Sequence, residues 1–489
     1  MPNEEKDTHL KYSHKNNNNP YSGHAKRYVP SEDPELTHTD ADTPMGEFMR
    51  KFWHPICMSE ELTDVPKALK IFNEDLVAFR DKSGQIGLMH RHCCHRGASL
   101  EYGIIQNKGI VCCYHGFHYD IDGTLIDVPG EADRGERLSQ HVSQGAYPAR
   151  EQDGLVFAYM GPYEEMPEFP TWDWGTAYDD IELVPFSNIY PCNYLQVFDN
   201  IADQVHTAHL HHARMRVVGE DGEEEFPESG TDSTALNPVF TQLPVMDYSP
   251  IRDDSAMVFM AGRRVGTDKI WIRMNELILP NATWHANLFE DGRDTRYWHR
   301  VHMGRWYVPV DDENSLILGW RMFGKKIDPF DKGVRERVTY DNIDFLVGQV
   351  GNRPYEIGQR MPGDWEALTS QRKIAVHDLE NPMRGDIGVY MNRKIMRRAL
   401  NGDNPAAQPE KLHERANAGL PEKTYTHNTV LAIPMQDGED DDKLILEVMH
   451  QLLKIIQEGD EYEGEERENF IRNAMQDYEQ SFAGAAAAE

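Results

Sequence analysis

The stretch "CCHRGASLEYGIIQNKGIVCCYHG", which runs from Cys93 to Gly116, decides the fold of this chain. It holds four of the six cysteines in 489 residues, in two adjacent pairs, and a histidine follows each pair closely. Six cysteines in so long a chain do not make a disulfide framework, and clustered cysteines are more often metal ligands. The spacings Cys93-x-His95 and Cys112-x-x-His115 therefore offer two thiolates and two imidazoles from two loops.

This donor set matches a Rieske [2Fe–2S] centre, in which two histidines replace two cysteines on one iron. A structural zinc site is the alternative, because Zn²⁺ also binds two cysteines and two histidines. Zinc fingers pair Cys with Cys and His with His, whereas each loop here gives one of each. The pattern therefore favours a cluster held by Cys93, His95, Cys112 and His115. The remaining cysteine of each pair is then a spare thiol.

The net charge of −32, from 82 acidic and 50 basic residues, limits the partners. It argues against nucleic acid, whose phosphates proteins bind with Lys and Arg, and it disfavours anionic membranes. It suits a partner with a basic docking face. No run approaches the roughly 18 apolar residues of a membrane span. Because the N-terminus lacks the apolar core of a secretory signal, we expect a cytoplasmic protein.

Composition and turn residues divide the chain into four segments. We expect a flexible arm at residues 1–45, a small β domain at 46–165, a larger domain at 166–435 and an acidic helical extension at 436–489. In the β domain, "LVAFRDKSGQIGLMH" predicts two short strands around a Lys-Ser-Gly turn. In the larger domain, residues 198–215 predict a helix, and "AMVFMAGRRV" and "KIWIRMNELIL" predict strands.

The two Cys/His segments and two further stretches of the chain resemble a known protein family. "HCCHRGASLEYG" and "CCYHGFHYDIDG" resemble the Rieske segments of the large subunit of ring-hydroxylating oxygenases. "TPMGEFMRKFWHPICMSEEL" (43–62) and "YVPVDDENSLILGWRMF" (307–323) resemble the phthalate dioxygenase-like branch. The resemblance spans roughly residues 43–400. It implies an α+β fold: a Rieske β domain, then a catalytic domain with an antiparallel sheet covered by helices. The C-terminal helical extension lies outside it.

The resemblance also implies a mononuclear Fe(II), which suits two histidines and one carboxylate with open positions for O₂. The family pattern is an Asp, a His three residues on and a second His five beyond, which selects Asp203, His206 and His211. Ideal helix geometry disagrees, because it places His206 and His211 about 140° apart but His206 and His209 about 60° apart. Helix geometry alone thus favours His209, whereas the resemblance favours His211. The unselected His209 and His212 are then supporting or structural.

The third ligand is implied by "GDWEALTSQRKIAVHDLENPMRGDIGVYMNRK" (363–394), which resembles the family's late helical segment. The Asp that opens this segment is Asp364, with Glu366 and Asp378 as rivals. Asp203 resembles the carboxylate that links a cluster histidine to an iron histidine and orients both. Here it would join His115 to His206. In the family this bridge crosses between the subunits of a head-to-tail homotrimer.

The implied reaction is NAD(P)H-dependent oxygenation with O₂. A separate reductase, of flavin or ferredoxin type, must supply electrons, because the chain has no GxGxxG after a strand and no second ferredoxin-type cysteine set. The resemblance implies an aromatic substrate, carboxylated or methoxylated, and it does not separate ring hydroxylation from oxidative O- or N-demethylation. Two other classes stay open: a Rieske electron-transfer protein without a catalytic iron, and a zinc-stabilised binding module.

Overall fold

The structure is a computed structural model, and it describes residues 20–178, 180–211, 217–218, 224–225, 239–240, 242–344, 348–436 and 440–486. His212 and the end of the predicted helix at 198–215 lie outside the described residues.

In the described part of the chain the strands are, in order, β1 Trp53–Met58, β2 Lys67–Ile71, β3 Glu74–Arg80, β4 Ile86–His90, β5 Ile104–Ile105, β6 Ile110–Val111, β7 His118–Tyr119, β8 Leu125–Asp127, β9 Ala146–Tyr147, β10 Ala149–Gln152, β11 Leu155–Tyr159, β12 Glu182–Tyr190, β13 Val217–Val218, β14 Glu224–Glu225, β15 Val245–Ile251, β16 Ala256–Val265, β17 Lys269–Ile278, β18 Ala282–Ala286, β19 Arg296–His299, β20 Val301–Asp311, β21 Asn314–Phe323 and β22 His427–Leu431.

The α-helices of the same residues are α1 Pro34–Thr37, α2 Pro44–Arg50, α3 Tyr194–Asp199, α4 Val205–His209, α5 Tyr355–Arg360, α6 Asp364–Thr369, α7 Ile387–Leu400, α8 Pro409–Leu412, α9 Glu414–Asn417, α10 Asp441–Glu458 and α11 Gly464–Ala486. None of these helices is long and apolar enough to cross a membrane.

The first domain is built from three small antiparallel sheets, with strand orders β1-β11-β10, β2-β3-β4-β9 and β5-β6-β7-β8. The two strands predicted around the Lys-Ser-Gly turn are β3 and β4, which pair antiparallel. Their turn is held by Asp81, whose Oδ1 accepts the backbone N–H groups of Ser83 and Gln85 at 2.9 and 3.0 Å. A carboxylate that satisfies its own turn in this way fixes the register of the hairpin. The third sheet carries the second Cys/His loop.

The second domain is organised by a nine-stranded antiparallel sheet in the order β12-β21-β20-β18-β17-β16-β15, with β22 pairing to β17 and β19. Because side chains alternate along a strand, Thr283 and His285 of β18 face one side and Trp284 faces the other. On its side, Trp284 packs against Trp172 and Trp306, with ring centroids 5.0 and 5.4 Å apart. The predicted α+β fold is confirmed, and one face of this sheet is left for the polar site described below.

The C-terminal helices α10 and α11 pack against this sheet. Leu452 and Met449 of α10 are fully buried with Met260 of β16 in one apolar cluster. Close approach depends on Gly262, since a Cβ there would lie 2.2 Å from a methyl carbon of Ile445. Burying each such side chain contributes roughly 1.5–3 kcal/mol. The extension is therefore part of the core of the second domain.

The segment predicted as a flexible arm is packed where it is described near α1. Leu36 is fully buried, and the Tyr194 hydroxyl donates to its carbonyl at 2.6 Å. Asp33 and Glu35 both form ion pairs with Arg397 of α7. These contacts tie residues 33–37 to the second domain. The boundaries drawn from sequence at 45, 165 and 435 stay predictions.

Candidate active site

Two loops of the first domain, one after β4 and one after β6, bring the four predicted cluster ligands together. In each loop the backbone N–H of the cysteine, Cys93 or Cys112, donates to the carbonyl five residues further on, at 2.9 and 2.8 Å. A glycine with positive φ lies in each loop, Gly97 at 76° and Gly116 at 74°. Side chains with a Cβ rarely adopt this conformation, so both loops need glycine. The two loops therefore have the same backbone form.

The sulfur atoms lie inside this site and the imidazoles lie nearer the surface. Cys93 and Cys112 are 3% and 2% exposed, and burial raises the pKa of the Cys112 thiol. The rings of His95 and His115 lie 4.6 Å apart, and His95 is exposed. Two buried sulfurs and two outer imidazoles fit a [2Fe–2S] cluster with one sulfur-held and one imidazole-held iron.

Tyr119 is a residue of this site that the sequence reasoning missed. Its buried hydroxyl lies 3.0 Å from Sγ of Cys93 and 3.3 Å from Sγ of Cys94. Hydrogen bonds to the sulfurs are among the features that set the reduction potential of an iron–sulfur cluster. Its position on β7, opposite the first loop, became apparent only from the strand pairing.

The helix predicted over residues 198–215 is interrupted, and that prediction is wrong over 200–204. Helix α3 ends at Asp199, and the residues after it form i→i+3 backbone bonds such as Asp203 N–H to the Asn200 carbonyl at 3.3 Å. Oδ1 of Asp203 then accepts the N–H of Val205 at 2.9 Å and starts α4. A side-chain cap of this kind begins a new helix and stops the old one from continuing.

The end of α4 places His209 and His211 in different surroundings. The helix ends at His209, so His211 lies beyond it and ideal helix angles do not apply. His209 is exposed. His211 instead turns inward, where its Nε2 and that of His206 each lie 3.6 Å from Oδ1 of Asp364.

His206, His211 and Asp364 form a candidate metal-binding group in the second domain, called the metal group below. One ligand atom from each lies within 4.8 Å of the others, and among the described residues no further such group of three is found. Oδ1 of Asp364 is buried without a hydrogen-bond partner. A buried carboxylate oxygen left in this way is costly unless a cation meets it. Two imidazoles and one carboxylate therefore fit a divalent iron with open positions.

The electrostatics of the group agree with this fit. Burial opposes ionisation of Asp364, but His211, His206 and the Gln349 amide together hold its pKa below the usual value. The Gln349 amide donates to Oδ2 of Asp364. The other oxygen, Oδ1, is the one that lies 3.6 Å from both histidines. Burial lowers the pKa of His211 to about 4, so its ring is neutral and has a free lone pair. Gln349 had no sequence signal, because it lies 15 residues from Asp364 in a separate loop.

The structure does not place the other two candidate carboxylates, Glu366 and Asp378, in the group of His206, His211 and Asp364. Glu366 accepts the N–H of Gly363 at 2.9 Å and pairs with Arg353, so it caps α6. Asp378 is exposed and is not part of the group. The start of α6 therefore places Asp364, rather than either rival, beside the two histidines.

Asp203 lies on the outer side of His206. Its Oδ2 is 3.8 Å from Nδ1 of His206, which is an ion-pair distance rather than a hydrogen bond. Nδ1 of His206 is buried without a hydrogen-bond partner. Asp203 is 30% exposed and lines an open groove of about 730 Å³. Within one chain, no hydrogen bond of the described residues joins Asp203 to His115, and the predicted bridge stays a prediction.

A small cavity of about 50 Å³ lies against the metal group. It is bounded by β16, β17, β18 and β20, and its polar lining was not predicted from sequence. Besides the metal group, that lining includes Gln204, Arg273, Asn275, His285, Arg305 and Gln349. Most of these polar side chains are donors, which bears on the kind of molecule the cavity can hold.

Comparison with known proteins identifies the family of the chain. Residues 52–143 match the Rieske [2Fe-2S] domain family. The chain is 43% identical over 465 residues, 94% of its length and 97% of the relative's, to the tert-butanol monooxygenase / tert-amyl alcohol desaturase oxygenase subunit of Aquincola tertiaricarbonis. It is 30% identical to phenoxybenzoate dioxygenase subunit alpha of Ectopseudomonas oleovorans, over 80% of this chain and 91% of that protein. In fold it resembles an NdmA variant of Pseudomonas putida CBB5 solved with caffeine, with a TM-score of 0.50 and 18% identity, over 76% of this chain and 96% of that one.

A Rieske domain joined to a domain with a His/His/carboxylate group defines the class of Rieske non-haem iron oxygenases. The chain belongs to this family, as the terminal oxygenase subunit of a multicomponent system. It uses a [2Fe–2S] cluster and a mononuclear iron, and it receives electrons from a reductase or ferredoxin partner. The alternatives of a pure electron-transfer protein and of a zinc-stabilised binding module are not favoured.

Proposed function

We propose that His206, His211 and Asp364 hold the mononuclear iron and that Cys93, His95, Cys112 and His115 hold the cluster. The observation that carries the proposal is the buried, unpartnered Oδ1 of Asp364, 3.6 Å from both imidazoles. When bound, the iron activates O₂ with electrons that the cluster delivers. Gln349 fixes the carboxylate by donating to its other oxygen, and burial keeps His211 neutral.

We propose further that the substrate is a small molecule with an oxygen function. The cavity of about 50 Å³ is far below the roughly 300–1,000 Å³ of pockets for drug-sized ligands. The relative at 43% identity is named for tert-butanol and tert-amyl alcohol, which supports a small tertiary alcohol. The relatives named for phenoxybenzoate and phthalate support the aromatic substrate predicted from sequence. Oxidative demethylation is supported by the relative named as a 5,5'-dehydrodivanillate O-demethylase subunit.

The working assembly is proposed to be a head-to-tail homotrimer. The exposed imidazole edge of one copy's Rieske loops would enter the groove beside Asp203 of the next copy. Two observations support this arrangement: Asp203 faces an open groove, and no hydrogen bond within the described chain links it to a cluster histidine. The cytoplasmic location stays a prediction.

The test is a substrate screen with a surrogate NAD(P)H reductase that reads O₂ uptake against product. The panel holds tert-amyl alcohol, phthalate and a methoxylated benzoate. We expect uptake matched by product for at least one compound, and loss of both in Asp364→Ala with the cluster spectrum kept. Asp378→Ala is the matched control and should behave like the unaltered protein. Full turnover and full iron content in Asp364→Ala would overturn the ligand assignment.

A further inference from the structure

The protonation of His285 is fixed by its neighbours in the cavity beside the metal group. His285 is 4% exposed and lines this cavity from β18. Nε of Arg305 lies 3.2 Å from Nε2 of His285. Because a guanidinium only donates hydrogen bonds, Nε2 must be the acceptor, and the imidazole carries its proton on Nδ1. Burial, with the positive charges of Arg305 and Arg273, lowers the pKa of His285 well below its usual value, which agrees with a neutral ring.

The remaining neighbour of Nε2 agrees with this tautomer. Oγ1 of Thr283 lies 2.8 Å from Nε2 of His285 and 3.2 Å from the Tyr307 hydroxyl. Tyr307 can donate to Thr283, and Thr283 can donate to Nε2. This chain of hydroxyls is compatible with Nε2 as an acceptor, which the contact with Arg305 requires.

The Nδ1–H group of His285 faces no acceptor among the described residues. Its polar neighbour is Nδ2 of Asn275, at 3.4 Å. The orientation of this amide is set by the backbone, since Oδ1 of Asn275 accepts the N–H of Ala286 at 2.9 Å. Two donor groups, one of His285 and one of Asn275, therefore lie 3.4 Å apart in side chains that line the cavity. Buried donors are normally paired, so an acceptor is missing there.

Two buried arginines of the neighbouring strands lie near this part of the sheet, and one of them, Arg273, lines the cavity. Arg263 and Arg273 are each 3% exposed, and among the described residues neither forms an ion pair. Both Nη atoms of Arg263 and Nε of Arg273 are buried without hydrogen-bond partners. Burial lowers the pKa of each guanidinium to about 9. The guanidinium of Arg273 lies over the rings of Phe240 and Phe259, at 5.5 and 5.9 Å, and these rings do not neutralise its charge. Because buried charges are usually paired, the cavity wall at Arg273 is complementary to an electron-rich oxygen.

We propose that His285 binds a substrate oxygen through Nδ1–H, and so selects compounds with a hydroxyl or carboxylate group placed beside the iron. This inference rests on the proposed function and names the substrate group that the site recognises. His285 would determine which substrates bind, and the residues of the metal group would keep the role proposed for them above. The shared chemistry is an oxygen that accepts hydrogen bonds. A carboxylate would also neutralise Arg273, whereas a hydroxyl would not.

The experiment measures dissociation constants by calorimetry on the full protein with both cofactors, without O₂ and with the cluster oxidised, so that no turnover occurs. The probes are two matched pairs: tert-amyl alcohol against 2-methylbutane, and benzoate against toluene. In His285→Phe we expect about tenfold weaker binding of whichever oxygen-bearing probe binds, the loss of one hydrogen bond. Binding of its hydrocarbon match should change less than twofold. His285→Asn, which keeps an N–H near the Nδ1 position, should retain most of the affinity.

His413→Phe is the control, because His413 is a partly buried histidine that bonds to the Lys51 carbonyl and does not line this cavity. Equal weakening of both members of a pair in His285→Phe, or no weakening, would overturn the proposal. So would failure of both oxygen-bearing probes to bind the unaltered protein. O₂ uptake with product on other compounds would in that case leave the oxygenase function standing. Iron content measured on each variant separates a loss of metal from a loss of the substrate contact.

Discussion

Two neighbouring histidines, His209 and His211, provide the sharpest test of the iron site. His211 lies 3.6 Å from Oδ1 of Asp364, whereas His209 ends α4 at the surface. We expect His211→Ala to lose the mononuclear iron and all product formation while it keeps the cluster spectrum. His209→Ala should keep both metals. The iron content per chain and the visible spectrum of the two variants show which histidine binds the mononuclear iron. Iron loss from His209→Ala with retention in His211→Ala would favour a regular helix through both residues.

The paired cysteines give a matched test of the cluster. Cys112 is buried at 2% exposure, while Cys94 is exposed. We expect Cys112→Ser to lose the visible colour and to destabilise the first domain, because metal binding is coupled to folding. Cys94→Ser should leave the spectrum largely unchanged. A full Rieske spectrum in Cys112→Ser would remove that residue from the ligand set.

Sequence reasoning selected the candidate donor residues but not the contacts that surround them in the structure. Cys93-x-His95 is a local spacing tied to one cofactor, so it could be read directly. Gln349 and His285 reach the iron site from another loop and another strand, and no spacing relates them to the ligands. Tyr119 lies four residues after His115, but its contact with Cys93 joins two separate loops. Their roles follow from strand pairing and side-chain alternation, which depend on the whole sheet. Such contacts could not be predicted from one sequence.

Among the secondary-structure elements, α10 has the clearest energetic role. Leu452 is fully buried against the sheet, whereas Lys454 on the same helix is 66% exposed. Leu452→Ala should destabilise the protein by about 2–5 kcal/mol, from lost apolar contact and the cavity left behind. Lys454→Ala should change stability by less than about 0.5 kcal/mol. Thermal unfolding of the two variants compares them. Equal Tm values would show that α10 is not part of the folded core.

The helices were predicted less well than the strands, and α3 and α4 show why. The 198–215 segment has a helical pattern, but Asp203 accepts the N–H of Val205 and starts a second helix. Helix propensity does not include hydrogen bonds such as this one, in which a side-chain carboxylate accepts a backbone N–H and so interrupts a helix. The strands around the Lys-Ser-Gly turn were predicted correctly, because turn chemistry and alternation agree there.

For the whole molecule, the order of domains followed from the sequence, because each domain has its own pattern. The relation between copies of the chain did not, since contacts between separate chains leave no periodic signal in the sequence. Asp203 is the residue whose proposed role depends on contacts between copies of the chain. It starts α4 and lies 3.8 Å from Nδ1 of His206, yet it makes no hydrogen bond to a cluster histidine of its own described chain. We therefore propose that electron delivery through Asp203 involves a second chain of the proposed trimer.

Asp203→Asn keeps the side-chain shape but removes the charge that orients the imidazoles. We expect the variant to hold both metals and to accept electrons into its cluster, while transfer to the iron slows by orders of magnitude. Single-turnover oxidation of a pre-reduced cluster, with substrate and O₂ present, measures that step. Mixing Asp203→Asn chains with His115→Ala chains should restore some activity, because some interfaces would pair an intact Asp203 with an intact His115. Unaltered oxidation coupled to product in Asp203→Asn would remove the bridge from the mechanism. No recovery after proven mixing would place both partners in one chain.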